Sequence, residues 1–145
     1  MVTTSKTKKN YFYAVGRRKT ATARVRLYKS ASVPGVEGEH QLVVNGKPAE
    51  EYFPGEMSKG IYRAPFIKAD ALQKMSASIK VQGSGKEGQL GATVHAVARA
   101  LVVFDEKLKS VMREAGFLTR DSRAKERRKA GKGGKARRSK QSPKR

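Results

Sequence analysis

The sequence predicts an α+β domain, in which a small sheet is covered on one face by helices, followed by an extended basic tail. Residues 21–28 alternate between apolar and polar side chains, which is typical of a half-buried β-strand. A later stripe of apolar residues recurs at spacings of three and four, which predicts a long amphipathic helix; its members are Leu90, Val94, Val97, Leu101 and Phe104. Residues 119–145 contain no Val, Ile, Leu, Met, Phe, Tyr or Trp, so they have no large apolar side chain to bury.

These observations divide the chain into three parts. Residues 1–9 form a short basic N-terminal extension, residues 10–118 a single globular domain, and residues 119–145 the tail. The absence of cysteine excludes disulfides and thiolate metal sites. No stretch approaches the roughly 20 apolar residues of a membrane span, and the N-terminus lacks the apolar region of a secretory signal. We therefore expect a cytosolic protein with no membrane partner.

The charge of the tail predicts a polyanionic partner. The tail carries 13 Lys/Arg and two acids, so it holds +11 of the chain's net charge of +21. Charge of one sign at this density repels itself, and a segment without a core cannot offset the entropy of ordering. We expect the tail to be disordered alone and to bind nucleic acid.

The first half of the domain predicts strands. Residues 11–15 form a short strand, residues 16–19 a loop, and residues 21–28 a second strand that completes a hairpin with a basic tip. Residues 30–39 form a loop rich in Ser, Gly and Pro, and residues 41–44 a third strand. Asn45-Gly46 then predicts a tight hairpin turn.

A short helix is expected next, at residues 48–53, with Pro48 near its first position. Pro65 argues against a helix interior around it, and residues 66–75 are left open between helix and loop. Residues 77–81 predict another strand.

Residues 83–88 predict a flexible loop, and a helical pattern begins at Gln89. The apolar stripe of this helix is expected to continue through Leu108 and Val111. Asp105 is a candidate cap for a second helix at residues 106–115, with Gly116 as its stop. Phe117 and Leu118 then supply the last apolar contacts before the tail.

Candidate enzyme signals are weak. Residues 83–88 match G-x-G-x-x-G between a strand and a helix, but no second strand with an acidic end follows, so dinucleotide binding is disfavoured. The start of this helix could instead hold an RNA phosphate, helped by Lys86. His40 and His95 are the only histidines and have no partner at metal-ligand spacing. We expect no enzyme activity, no cofactor, no metal and no small-molecule substrate.

A cluster of cations marks the first hairpin. It consists of Arg17, Arg18, Lys19, Arg24 and Arg26, with Tyr28 close behind. Such residues can also protect an edge strand from aggregation. Together with the tail, they favour a surface that follows phosphates.

Basic clusters joined by glycines continue along the tail. They are Arg127, Arg128 and Lys129, and then Lys135, Arg137 and Arg138. The tail has no aromatic residue, which indicates phosphate contacts and not base stacking. Fully extended, it would reach about 90–95 Å, at roughly 3.3–3.6 Å per residue. A free-standing nucleic-acid binder with a histone-like tail would need the same charge and remains an alternative.

Three motifs resemble the small-subunit ribosomal protein S-nine family. Residues 13–25 (YAVGRRKTATARV) resemble its opening signature, and residues 88–101 its central one, in Gly88-Gln89, Gly91-Ala92, His95 and Ala98-Arg99-Ala100-Leu101. Its C-terminal end is similar to Leu118-Thr119-Arg120-Asp121-Ser122-Arg123, Glu126-Arg127 and Lys144-Arg145. The chain departs from the family at Ser84, where a glycine is usual, and at Pro143, which interrupts a usual Ser-Lys-Arg ending.

The resemblance implies a two-layer α/β sandwich like the ribosomal protein S-five domain 2-like fold, with a left-handed βαβ crossover. It implies binding to small-subunit ribosomal RNA in the head of the subunit, beside neighbouring ribosomal proteins, in the cytoplasm of a bacterium. Lys144 and Arg145 would contact the P-site tRNA. The residues expected to contact ribosomal RNA are Arg17, Arg18, Lys19, Arg24, Arg26, Lys86, His95, Arg99, Arg120, Arg123, Arg127, Arg128, Lys129, Lys132, Lys135, Arg137, Arg138 and Lys140.

Overall fold

A mixed five-stranded sheet forms one layer of the protein. The computed structural model describes residues 10–34, 41–72 and 74–131. The strands are β1 (Phe12–Arg18), β2 (Ala21–Tyr28), β3 (Leu42–Val44), β4 (Lys47–Pro48) and β5 (Ser76–Gln82), and their order in the sheet is β1-β2-β5-β3-β4. Of the strand pairs in the described ranges, only β3 with β5 is parallel, so the chain between these two strands must cross over.

Helices form the second layer. The described residues contain α1 (Ala49–Tyr52), α2 (Glu56–Lys68), α3 (Lys86–Phe104) and α4 (Leu108–Glu114), and α1 and α2 lie in the crossover between β3 and β5. The structure confirms the predicted α+β class. None of the helices in the described ranges is long and apolar enough to cross a membrane.

The core lies between α3 and the inward face of the sheet. The alternation in β2 places Ala23, Val25 and Leu27 in this core, where they are fully buried, as predicted. Ile79 and Val81 of β5 lie beside them. Each fully buried Val, Leu or Ile side chain stabilises the fold by about 1.5–3 kcal/mol.

Glycine and alanine let α3 approach β1 closely. A Cβ atom on Gly16 would lie 2.3 Å from the carbonyl oxygen of Ala92 and 2.3 Å from the amide nitrogen of Ala96. Both alanines are completely buried. The small residues of the central motif therefore allow the backbone of α3 to pack directly on the backbone of β1.

The predicted loop at residues 16–19 is wrong. β1 continues to Arg18, and Arg17 and Arg18 pair with Thr22 and Ala21, so only Lys19 and Thr20 form the turn. The sequence predicts Gly16 as a loop residue, whereas its contact with α3 holds it in the strand.

The exclusion of a helix around Pro65 is also wrong. α2 includes Pro65 in its last turn and ends at Lys68. Of residues 66–75, for which the sequence leaves helix and loop open, only residues 66–68 are therefore helical. Proline removes one helical hydrogen bond. Burial of Tyr62, Pro65 and Phe66 on the same face of α2 stabilises the helix in spite of that loss.

Two predicted boundaries shift near α3. The helix begins at Lys86, so the loop covers only residues 83–85. The buried stripe does not reach Val111, which is 38% exposed, while Met112 is completely buried. The helix breaks at Asp105, whose Oδ1 accepts a hydrogen bond from the amide of Lys107 at 2.9 Å. The next helix, α4, begins at Leu108 and buries Met112 in place of Val111.

Other predictions are confirmed. Asn45 and Gly46 have φ of 50° and 82° and join β3 to β4. Pro48 precedes α1 as its N-cap residue. Gly116, with φ of 75°, ends the last helix: its amide bonds the carbonyl of Arg113 at 3.0 Å, and the amide of Phe117 bonds that of Met112 at 3.0 Å. This pattern is a Schellman motif, and it turns the chain back toward the sheet.

Candidate nucleic-acid interface

Two side chains of α3 form hydrogen bonds with backbone groups at the outer edge of β1. The backbone amide of Arg17 donates a hydrogen bond to His95 Nδ1 at 3.3 Å, and Arg99 Nη1 donates one to the carbonyl oxygen of Val15. Among the strands of the described residues, β1 is the outer one, and its outward amides and carbonyls pair with none of the others. His95 and Arg99 bind two of these groups and thereby fix α3 against the edge.

The chain that follows α4 adds a third wall. After the turn at Gly116, Phe117 and Leu118 pack against the core, as predicted from their position. Arg120 then lies beside β1 and α3. The resulting cleft has a volume of about 460 Å³ and is lined by Val15, Arg17, His95, Arg99 and Arg120. We call it the β1–α3 cleft.

Asp121 anchors the first residues of the tail to the domain. It forms an ion pair with Arg18, whose side chain lies over Gly91 of α3. Its Oδ1 also accepts the backbone amide of Arg123 at 2.9 Å, and its Oδ2 accepts Arg123 Nη2 at 2.7 Å. The described part of the tail is therefore held to the domain through Asp121, which is half-buried, while residues 122–131 are exposed.

The structure brings some of the predicted RNA-binding residues together and separates others. Arg17, Arg18, His95, Arg99, Arg120 and Arg123 cluster at the β1–α3 cleft and its rim. Lys19 lies at the hairpin tip, and Arg24 and Arg26 lie on the exposed face of the sheet.

Lys86 lies away from the β1–α3 cleft. Its Nζ is 3.2 Å from the carbonyl oxygen of Tyr52 and 3.4 Å from the centre of the Tyr52 ring, so the ammonium group is directed at α1. Among the predicted tail residues, Arg127, Arg128 and Lys129 are exposed. Lys132, Lys135, Arg137, Arg138, Lys140, Lys144 and Arg145 lie outside the described residues, as does His40.

Sequence reasoning missed two residues of this region. Asp121 joins the hairpin to the tail through its ion pairs with Arg18 and Arg123, and an acid within a basic segment is a signal of such a local partner. Tyr13 pairs across the hairpin with Arg26. This pairing follows from the two-residue turn at Lys19 and Thr20, and the incorrect loop at residues 16–19 concealed it.

The environment of His95 favours its neutral form. Burial lowers the pKa of His95, and the nearby guanidinium groups of Arg99 and Arg120 lower it further. Arg17, on the facing strand, lines the same cleft. Because Nδ1 accepts the amide of Arg17, protonation at that atom would also break a hydrogen bond.

We expect the protein to lose stability as the pH falls below about 6.5, the usual pKa of histidine. A lowered native pKa means that the unfolded chain binds more protons in this range, so the free energy of unfolding decreases with decreasing pH. The loss from one such group is at most about 1.4 kcal/mol per pH unit. Urea unfolding between pH 7.5 and 5.5 measures it. His95→Asn, which offers an oxygen to the amide of Arg17, should show a flatter dependence, and an equally steep one would exclude His95 as the source.

One comparison with known proteins matches most of the chain. A family model described as ribosomal protein S9/S16 matches residues 16–145. The match includes the end of β1, all of α3 and the whole tail. These are the segments that form the β1–α3 cleft and carry the basic clusters.

Proposed function

The chain belongs to the ribosomal protein S9/S16 family, a structural and non-enzymatic family of the cytoplasmic ribosome, and from this premise we propose that the β1–α3 cleft holds the ribosomal RNA backbone. Membership implies binding to ribosomal RNA and to other ribosomal proteins.

The observation that carries this proposal is the convergence of cations from three separate segments. The cations are Arg17 from β1, Arg99 from α3 and Arg120 from the start of the tail, and all three line one cleft beside the half-buried His95. Guanidinium groups bind phosphate through paired hydrogen bonds, and each contact releases counterions. Asp121, the acid that follows Arg120 in the chain, is paired with Arg18 and Arg123 and so does not oppose an incoming phosphate.

We further propose that this RNA belongs to the head of the small subunit and that the tail serves two tasks. The segment from Arg120 to Lys140 would bind ribosomal RNA and act as a spacer, and Lys144 with Arg145 would contact the P-site tRNA. The reach of about 90–95 Å, at roughly 3.3–3.6 Å per extended residue, supports a target distant from the domain.

A left-handed crossover between β3 and β5 also remains a prediction.

The double variant Arg17→Gln/Arg120→Gln tests the cleft. We expect it to weaken binding to small-subunit ribosomal RNA and to make the dependence of log K on log salt shallower by about 1.5, at roughly 0.7–0.9 per lost phosphate contact. The measurement is a filter-binding titration of the full chain at four salt concentrations between 50 and 200 mM.

Lys107→Gln/Lys109→Gln is the matched control, because both lysines are exposed near the start of α4 and the variant loses the same charge. It should leave the slope unchanged to within about 0.5. Equal slopes for the two double variants would mean that net charge alone accounts for binding, and the proposal for the cleft would be withdrawn.

A further inference from the structure

The second face of the sheet, opposite the helices, presents tyrosines and cations. Ala14 and Gly16 of β1 are buried toward α3, so the side chain of Tyr13, which alternates with them, lies on the other face. The strand register extends this face in rows. Tyr13 pairs with Arg26, which pairs with Ser78, and Val15 pairs with Arg24, which pairs with Lys80.

On this face, Tyr11 contacts both the ring of Tyr28 and the guanidinium group of Arg26. The rings of Tyr11 and Tyr28 lie 6.1 Å apart, and the guanidinium carbon of Arg26 lies 5.1 Å from the centre of the Tyr11 ring. Tyr13 follows in the next row and is 50% exposed. We call this set the tyrosine–arginine face; it comprises Tyr11, Tyr13, Arg24, Arg26, Tyr28 and Lys80.

The charge of this face is of one sign. None of the residues of β1, β2 and β5 is acidic, and Arg24, Arg26 and Lys80 are all exposed. Arg24 and Arg26 are two residues apart on one strand, which separates them by about 6.8 Å. The face therefore offers a flat aromatic ring with cations on neighbouring strands.

We propose that the tyrosine–arginine face binds single-stranded RNA by stacking an unpaired base on Tyr13, while Arg24, Arg26 and Lys80 neutralise the adjoining phosphates. The inference rests on the proposed function, since it assigns a second RNA contact to the same chain. It differs from the β1–α3 cleft in its chemistry, because that cleft offers cations without an exposed aromatic ring.

Base stacking selects a single strand over a duplex. The bases of an RNA duplex are stacked on one another and cannot lie on a protein ring, whereas unpaired bases stack on exposed aromatic side chains. Stacking depends little on base identity, so the face should bind unpaired segments without strict sequence preference. Edge protection alone would account for the cations but not for a half-exposed tyrosine beside them on the edge strand.

Photocrosslinking locates such a contact in the full chain. The probe is a 12-nucleotide oligouridylate, irradiated at 254 nm with the protein and digested with trypsin. The expected result is a uridine adduct on Tyr13, in the peptide of residues 10–17, that is lost when the probe is a blunt 12-base-pair RNA duplex. Adducts confined to other peptides, or an equal adduct with the duplex, would overturn the inference.

Substitution of Tyr13 gives an independent test. Tyr13→Leu should weaken binding of the oligouridylate about fivefold or more, because stacking of one base contributes about 1–3 kcal/mol. Tyr13→Phe keeps the ring and should bind within about twofold of the parent. The salt slope should be unchanged in both variants, whereas Arg24→Gln should make it shallower by about 0.7. Thermal unfolding of each variant confirms that it folds.

The outcomes separate this inference from the proposed function. If the cleft variant Arg17→Gln/Arg120→Gln weakens RNA binding while Tyr13→Leu does not, the cleft stands and base stacking is rejected. If Tyr13→Leu acts while the cleft variant does not, the cleft is rejected and base stacking stands.

Discussion

Gly16→Ala is expected to lower the free energy of unfolding by about 3 kcal/mol, at the upper end of the cost of overpacking. The new methyl group would lie 2.3 Å from both the carbonyl oxygen of Ala92 and the amide nitrogen of Ala96. These are backbone atoms of α3, which cannot move aside as a flexible side chain can. The strand and the helix must therefore separate, and the contacts of His95 and Arg99 with β1 would be lost with them.

Gly60→Ala is the matched control for this prediction. Gly60 lies in the exposed middle of α2, with no atom from elsewhere in the described structure within 4 Å of an added Cβ. Alanine favours a helix over glycine by about 1 kcal/mol, so this variant should be slightly more stable than the parent. Urea unfolding of both proteins gives the comparison. A Gly16→Ala protein as stable as the parent would contradict the close packing of β1 on α3.

Removal of residues 132–145 is expected to produce the largest change in RNA binding. This segment carries seven Lys/Arg and no acid. With each cation contacting one phosphate, the slope of log K against log salt should become shallower by about five, at roughly 0.7 per contact with a single strand. When the salt concentration rises from 50 to 200 mM, the factor by which affinity falls should then be about 1,000 times smaller for the truncated chain than for the full chain. Filter binding to small-subunit ribosomal RNA measures both slopes.

A shorter truncation separates the two tasks proposed for the tail. Removal of Lys144 and Arg145 alone should change the salt slope by only about 1.4. The same variant should weaken retention of tRNA in the P site of assembled subunits, since the tip would contact that tRNA. Subunits that lack these two residues and still retain tRNA normally at every salt concentration would remove the tip from the proposal.

The first hairpin shows how far the sequence analysis reached. The alternation of residues 21–28 correctly predicted β2 and its buried face, because a strand with one buried side repeats every two residues. The sequence predicts the end of β1 at Val15, because Gly16 and the cations after it resemble a loop in composition. The structure continues β1 to Arg18, and the contact that decides this lies in α3, more than 70 residues further along the chain.

For the predicted RNA-binding residues too, the sequence predicts the individual residues, whereas the tertiary structure decides which of them lie together. Arg17, His95, Arg99 and Arg120 were each chosen from a local cluster or from the family resemblance. Their common cleft depends on strand register, on the packing of α3 across the edge of β1, and on the Schellman turn at Gly116. The sequence shows Asp121 as an acid of the tail and as part of its first motif, whereas its pairing with Arg18 depends on the same turn.

The sequence by itself determined the α+β class, the long helix, the basic tail and the need for a polyanion, because periodicity, charge and the absence of apolar residues are local properties. The tertiary structure alone decided the β1–α3 cleft and the tyrosine–arginine face. Both unite residues that are distant along the chain or lie on different strands. Their proximity follows from packing geometry, since a shift of one residue in the register of β1 would turn Tyr13 inward and Ala14 outward.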